Sequence, residues 1–272
     1  MIEYIRVTVD DIDYELPQEI TVTHYGELMR RMSLSETEIE KAHDVICVML
    51  GIPYSIIREF EKERMAELSI YIQNKINECD KPYEPTFKWK GTEYGGLVMN
   101  KMSFGEYIDM VSYVNDQNSI YMNIHKLCAI LYRPILNKTK EKYTIKEYNI
   151  DEHEELSEKF KDLPLKYFFG VFKNLFTYLQ QMRKEFEVLF GEEEDDIKKP
   201  EDDKEKKEEK TNLPWYKMIM ALSDEDFTKI DYVTSRPVVE CFNHLTYIKL
   251  KNEDEKMRLL QQQNKMNLLW VN

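Results

Sequence analysis

The chain of 272 residues carries 38 Lys and Arg against 51 Asp and Glu, a formal net charge of −13. That acidity repels nucleic-acid phosphates, and no basic patch offsets it, so direct DNA or RNA binding is not expected. Hydrophobic residues at 42% and charged residues at 33% suit a globular fold of one or two domains, and only 8 Gly and 9 Pro favour long helices over many short strands.

Residues 2 to 16 alternate in strand fashion. Ile5, Val7 and Val9 share one side, Asp10 and Asp11 supply the turn, and Ile12, Tyr14 and Leu16 resume the pattern. A β-hairpin ending at Pro17 is predicted, then a short helix from about Thr23 to Met32. Ser35 and Glu38 read as a capping box, starting a helix that buries Ile39, Ala42, Ile46 and Met49 and stops at Gly51. Pro53 opens a long helix to about Asn77 with the stripe Ile57, Phe60, Met65, Leu68, Ile72 and Ile76. Pro and Gly then punctuate residues 80 to 102, where Phe87 with Trp89 and Leu97 with Met99 alternate, predicting a second hairpin.

Ser103 and Glu106 form another capping box. A helix from about Ser119 to Tyr132 follows and is broken at Pro134. Tyr143 to Tyr148 reads as a lone strand, and a charged helix starts near Asp151 and Glu154. Leu165 to Phe190 is the most apolar helix: Phe168, Phe172, Phe176, Leu179, Met182, Phe186 and Leu189 recur every three or four residues. With Val171 and Leu175 beside them the stripe is wide enough to pack on two sides.

Residues 191 to 212 are nearly all Glu, Asp and Lys, too polar to repay the entropy of ordering. After them come a short helix at Leu213 to Leu222 with Trp215, a next helix capped by Ser223 with Asp226, and a last helix from Pro237 to about Lys265, capped by Ser235. That helix carries apolar Val238, Cys241, Leu245, Ile248, Met257 and Leu260, and turns polar past Lys251. The fold class predicted is mainly α with small β-hairpins (α+β). The domains are a hairpin-plus-helices domain over 1–190, an acidic flexible loop over 191–212 and a C-terminal helical segment over 213–272.

Four cysteines, Cys47, Cys79, Cys128 and Cys241, form no C-x-x-C pair and read as reduced, buried thiols. No secretory signal and no membrane span are read. Neither G-x-S-x-G, G-x-x-x-x-G-K nor G-x-G-x-x-G occurs, so no nucleophile elbow or phosphate cradle is visible, and no catalytic residue or cofactor is expected. His125 with Cys128, and Cys241 with His244, each lie three apart on a predicted helix. Two thiolates and two imidazoles would close a tetrahedral zinc site if those helices met. The spacing matches no established zinc pattern, and the plainer reading is core packing. The 18 Tyr, 12 Phe and 14 Met fill helix seams or serve adaptable interfaces. Phe168, Phe172, Phe176, Leu179 and Trp215 are the expected partner-binding residues.

The order of elements resembles tail assembly chaperones and baseplate-hub assembly proteins of tailed bacteriophages. The likeness rests on Leu16-Pro17-Gln18-Glu19-Ile20-Thr21-Val22 after the hairpin, Leu50-Gly51-Ile52-Pro53, Phe104-Gly105-Glu106-Tyr107-Ile108-Asp109, and Lys126-Leu127-Cys128-Ala129-Ile130-Leu131-Tyr132-Arg133-Pro134. The C-terminal block with Asp226-Phe227-Thr228-Lys229 and Pro237-Val238-Val239-Glu240-Cys241-Phe242-Asn243 is similar to helical tails of related morphogenesis proteins. Richness in Tyr, Ile, Lys, Asn and Glu suits a phage of Bacteroidales hosts, such as a crAss-like phage. The acidic insertion and the long polar C-terminal helix depart from the shorter chaperones. The resemblance implies no cofactor and no catalytic residue. It implies a non-enzymatic role in tail and virion assembly, with tail, tape-measure or connector proteins as partners, in the virion or in the host cytoplasm. The alternative is a structural component of the virion: a connector, ring or cargo protein.

Overall fold

The computed structural model describes residues 6–9, 11–114, 117–140, 142–191 and 213–270, without the side chains of 117–119, 213 and 264–270. The acidic run 192–212 and the first residues of the predicted hairpin lie outside the described residues. The fold is mainly α with two small antiparallel sheets. The chain divides into two compact units: Met1–Leu97 with Asp109–Phe176, and Val98–Ile108 with Thr177–Asn272. The sequence places its boundaries around the acidic run instead. Sequence order hides the difference, because residues 98–108 belong with the C-terminal unit although most of their sequence neighbours do not.

In the first unit, β1 (Arg6–Val9) and β2 (Ile12–Glu15) form the hairpin, turned by Asp11 at φ 62°. Helix α1 (Val22–Met32) is capped by Thr21, and α2 (Glu38–Leu50) by Thr37. The reciprocal box of α2 is Thr37 with Glu40, not Ser35 with Glu38; the Ser35 hydroxyl donates to Asp44 instead. Gly51, at φ 68°, ends α2 in the left-handed conformation that a side chain resists. The long helix predicted after Pro53 is two pieces, α3 (Tyr54–Ile57) and α4 (Lys62–Glu78). Ile57 and Met65 are eight residues apart, about 80° around a continuous helix, and the break lets both be buried. Buried His43 spans the break, its ring nitrogens 3.2 Å from Tyr54 Oη and 3.0 Å from Met65 Sδ.

The second sheet has four strands in the order β3 (Thr86–Trp89), β4 (Thr92–Gly96), β5 (Tyr132–Lys138), β6 (Tyr143–Ile145), all antiparallel. The Tyr143 strand is therefore not alone, and Pro134 sits within a strand, opposite Tyr94. Aromatic rings cover one face. Phe87 stacks on Tyr167 at 3.9 Å, and Tyr94 meets Phe160 at 5.2 Å. Between these strands in sequence run α5 (Phe104–Val114), capped by Ser103 and Glu106 as predicted, and α6 (Gln117–Leu131). Helix α7 (Ile150–Phe160) packs on α6, as does α1. Gly26 makes the α1–α6 approach possible: a Cβ there would lie 2.3 Å from the Tyr121 carbonyl oxygen.

Candidate partner-binding surface

The apolar stretch 165–190 is a 3-10 turn, then α8 (Phe168–Glu185) and α9 (Glu187–Phe190), with the chain bending at Phe186. The buried line on α8 is Phe168, Val171, Leu175, Tyr178, Met182 and Phe186, each less than a tenth exposed. It parts from the predicted phenylalanine line at Val171. Phe172 and Leu179 end half-buried and Phe176 is 55% exposed. Phe168, expected to face a partner, is 3% exposed and packs against Tyr25 and Phe172, so it is a core residue. A reason lies at Gly170, where a Cβ would fall 2.4 Å from the Tyr83 backbone nitrogen. That contact holds the Gly170 side of α8 close to the 82–83 backbone, and Val171 and Leu175 are buried beside it.

In the second unit the core is a ring cluster. It draws on α10 (Leu213–Leu222) and α12 (Val238–Trp270), together with Phe104 and Tyr107 of α5 and Phe186 and Phe190 at the ends of α9; a 3-10 turn at Phe227–Lys229 and α11 (Ile230–Ser235) lie between α10 and α12 in sequence. Phe242 is fully buried at its centre. Tyr107, Phe186, Phe190 and Phe104 surround it at 5.1, 5.3, 5.3 and 5.8 Å between centroids, all at steep angles. Edge-to-face rings of this kind satisfy the aromatic quadrupole and bury large areas. Trp215, predicted to meet a partner, is half-buried and stands edge-on to Phe104 and Tyr107, so it serves this cluster. Ser235 does not cap α12: its hydroxyl donates to the Tyr232 carbonyl. Ser223 likewise donates to the Met220 carbonyl, while Asp226 caps the 3-10 turn alone.

Helix α12 changes character along its 33 residues. Val238, Cys241, Phe242 and Leu245 are buried on one side. Continued along the helix, that side carries Lys249, Asn252 and Lys256, and from Lys249 to Gln263 every residue is exposed. A packing face that turns from phenylalanine to lysine cannot remain on an apolar core. The exposed half still carries large apolar side chains: Tyr247 60%, Leu250 46%, Met257 58%, Leu259 60% and Leu260 49% exposed. The single stripe expected from the sequence runs on through Met257 and Leu260. Met257 belongs to a second run at alternating spacing of three and four, Tyr247, Leu250, Asp254, Met257 and Gln261, set roughly two fifths of a turn from the first.

His125 and Cys128 belong to the first unit, Cys241 and His244 to the second, and no group of three or more His, Cys, Asp or Glu among the described residues is placed to hold a metal ion. Cys128 is fully buried, and burial alone pushes its thiol far up, away from the thiolate a metal requires. Burial, with Glu240 nearby, lifts Cys241 to about 11. His125 moves the other way, to about 4, chiefly through burial and then through Lys161 and Lys126.

A cleft of about 180 Å³ opens beside β5 and α7, lined by Arg133, Lys146, Glu152 and His153 among others. Lys146 pairs with Glu152 at 2.8 Å, and His153 Nε2 donates to the Lys126 carbonyl at 3.0 Å, tying α7 to α6. These contacts give the cleft's polar groups a structural job. No helix among the described residues is long and apolar enough to cross a membrane. Comparison with known proteins adds no relative: no protein-family model matches the chain, and no match was found among curated proteins or solved structures.

Proposed function

We propose that this chain is a non-enzymatic phage morphogenesis protein that binds other phage proteins, tail, tape-measure or connector components, during tail and virion assembly. One observation carries the binding role. From Leu250 to Gln263 every side chain of α12 is exposed, and the helix nevertheless displays Leu250, Met257 and Leu260 there, with exposed Tyr247 just before them. Isolated helices of this length are marginal in water, and exposed apolar side chains along one are stabilised by a second helix laid against them. Phe176 adds an exposed ring elsewhere on the chain. The phage setting is supported by the resemblance of the short motifs from Leu16 to Val22, Leu50 to Pro53 and Lys126 to Pro134 to assembly chaperones. The net charge of −13 would keep the unloaded protein dispersed.

Co-expression with the phage's tail and connector proteins tests the proposal. Stable co-purification with at least one of them is the expected result, and failure to co-purify with any removes it. Protein analysis of purified particles separates the two forms of the role: a stoichiometric band assigns a permanent virion component, and absence assigns a chaperone.

A further inference from the structure

Charge and spacing on the exposed half of α12 restrict what can lie against it. Tyr247, Leu250, Asp254, Met257 and Gln261 follow the three-four alternation of a two-helix seam. Asp254 falls within the seam. Lys251 and Arg258 each follow a seam residue by one position and so flank the same side of it, while Glu253 and Leu260 flank the other. A second copy of this chain fits poorly in either direction. In a parallel pair Asp254 meets Asp254 across the apolar seam, where like charges repel and lose water together. In an antiparallel pair the side bearing Lys251 and Arg258 meets the same side of the other copy, again like on like.

We infer that residues 247–261 of α12 form a docking seam for an amphipathic helix of another protein, one that carries carboxylates opposite Lys251 and Arg258 and a lysine or arginine opposite Asp254. Such a helix would bury Leu250 and Met257, neutralise both flanking cations and pair the seam carboxylate. Both homotypic arrangements would remain penalised. The seam resembles a coiled-coil dimer in which one polar seam residue sets register and partner choice at some expense of stability. The inference deepens the proposed role by naming the chemistry of the partner, and it rests on that role only in requiring that the chain bind protein.

Fluorescence anisotropy on the full chain tests it with two labelled synthetic helices about four heptads long. One has leucine in the seam, glutamate on the flanks and a single seam lysine; the other has lysine on the flanks and a single seam glutamate. The acidic helix should bind about tenfold or more tighter than the basic one. Leu250→Asp with Met257→Asp should abolish binding, and Lys251→Glu with Arg258→Glu should reverse the order of preference. All four positions are exposed, so circular dichroism should show both variants folded. Equal affinity for the two helices, no binding of either, or no effect of the charge swap overturns the inference. So does light scattering that shows a homodimer which the Leu250→Asp, Met257→Asp variant breaks. Phage proteins that co-purify equally with the wild type and with that variant would keep the proposed role and remove α12 from it. Tight binding of the acidic helix without any phage partner would do the reverse.

Discussion

Phe242 and Met257 lie fifteen residues apart on one helix and are both large and apolar, yet Phe242 is fully buried and Met257 is 58% exposed. The difference arises from what each has for neighbours along its own side of the helix. Phe242 sits among Val238, Cys241 and Leu245, a face wide enough to hold a core. Met257 keeps company with Asp254 and Gln261, too polar to enter one yet apolar enough to meet a second helix. Burial therefore follows the stripe and not the residue.

That contrast predicts where substitutions will be felt. The largest effect belongs to Phe242→Ala, which should cost about 3–5 kcal/mol of stability, because four rings lose their common partner. Urea denaturation followed by near-ultraviolet circular dichroism would show it, and a loss below about 1 kcal/mol would mean that the cluster is not a core. Gly170→Ala should cost about 1–3 kcal/mol by the same measurement. The added methyl meets the backbone of Pro82 and Tyr83 at 2.4–2.8 Å, atoms that cannot turn aside as a side-chain tip can.

His125 gives a smaller, pH-dependent effect. Burial, then Lys161 and Lys126, hold it neutral down to about 4, against an ordinary value of 6.5. The unfolded chain therefore takes up this proton first as pH falls. The contribution is complete above 6.5, lessens between 6.5 and 4, and changes no further below that. His125→Gln should flatten this part of the urea midpoint's pH profile; parallel profiles for the variant and the wild type would contradict the assignment. The smallest effect is expected for Met257→Asp, within about 0.5 kcal/mol in the isolated protein. A larger loss would show that the exposed half of α12 contributes to the folded body and is not reserved for a partner.

Local chemistry made much of the fold legible. The hairpin at Asp11, the helix stop at Gly51, the Ser103–Glu106 box and the amphipathic stretches each announce themselves within a few residues, because capping, left-handed turns and helical periodicity are short-range effects. Where two equally good local signals compete, contacts beyond the capping window decide between them. Thr37 displaced Ser35 as the cap of α2, with the Ser35 hydroxyl turned to Asp44. On α8 the phenylalanine line lost to Val171 and Leu175, next to a glycine that touches Tyr83 nearly ninety residues away in sequence. The candidate surface is legible in composition but not in position: Phe168 and Trp215 belong to an apolar pattern that points outward, yet they serve cores, while the seam residues of α12 lie among those of the inner stripe in sequence. Two overlapping periodicities in one helix blur each other until burial separates them.

Tyr107 and Phe104 reach the second unit from a part of the chain about seventy residues before its main body at Thr177–Asn272. The unit is therefore discontinuous, and a fragment that begins at Leu213 would leave behind Phe104, Tyr107, Phe186 and Phe190, the rings that meet Phe242 among the described residues. Such a gene fragment would not be a portable module: transplanted to another protein it would bring the α12 seam without the socket that anchors it. A stop codon or protease cut near the acidic run would likewise leave neither product with a complete second unit.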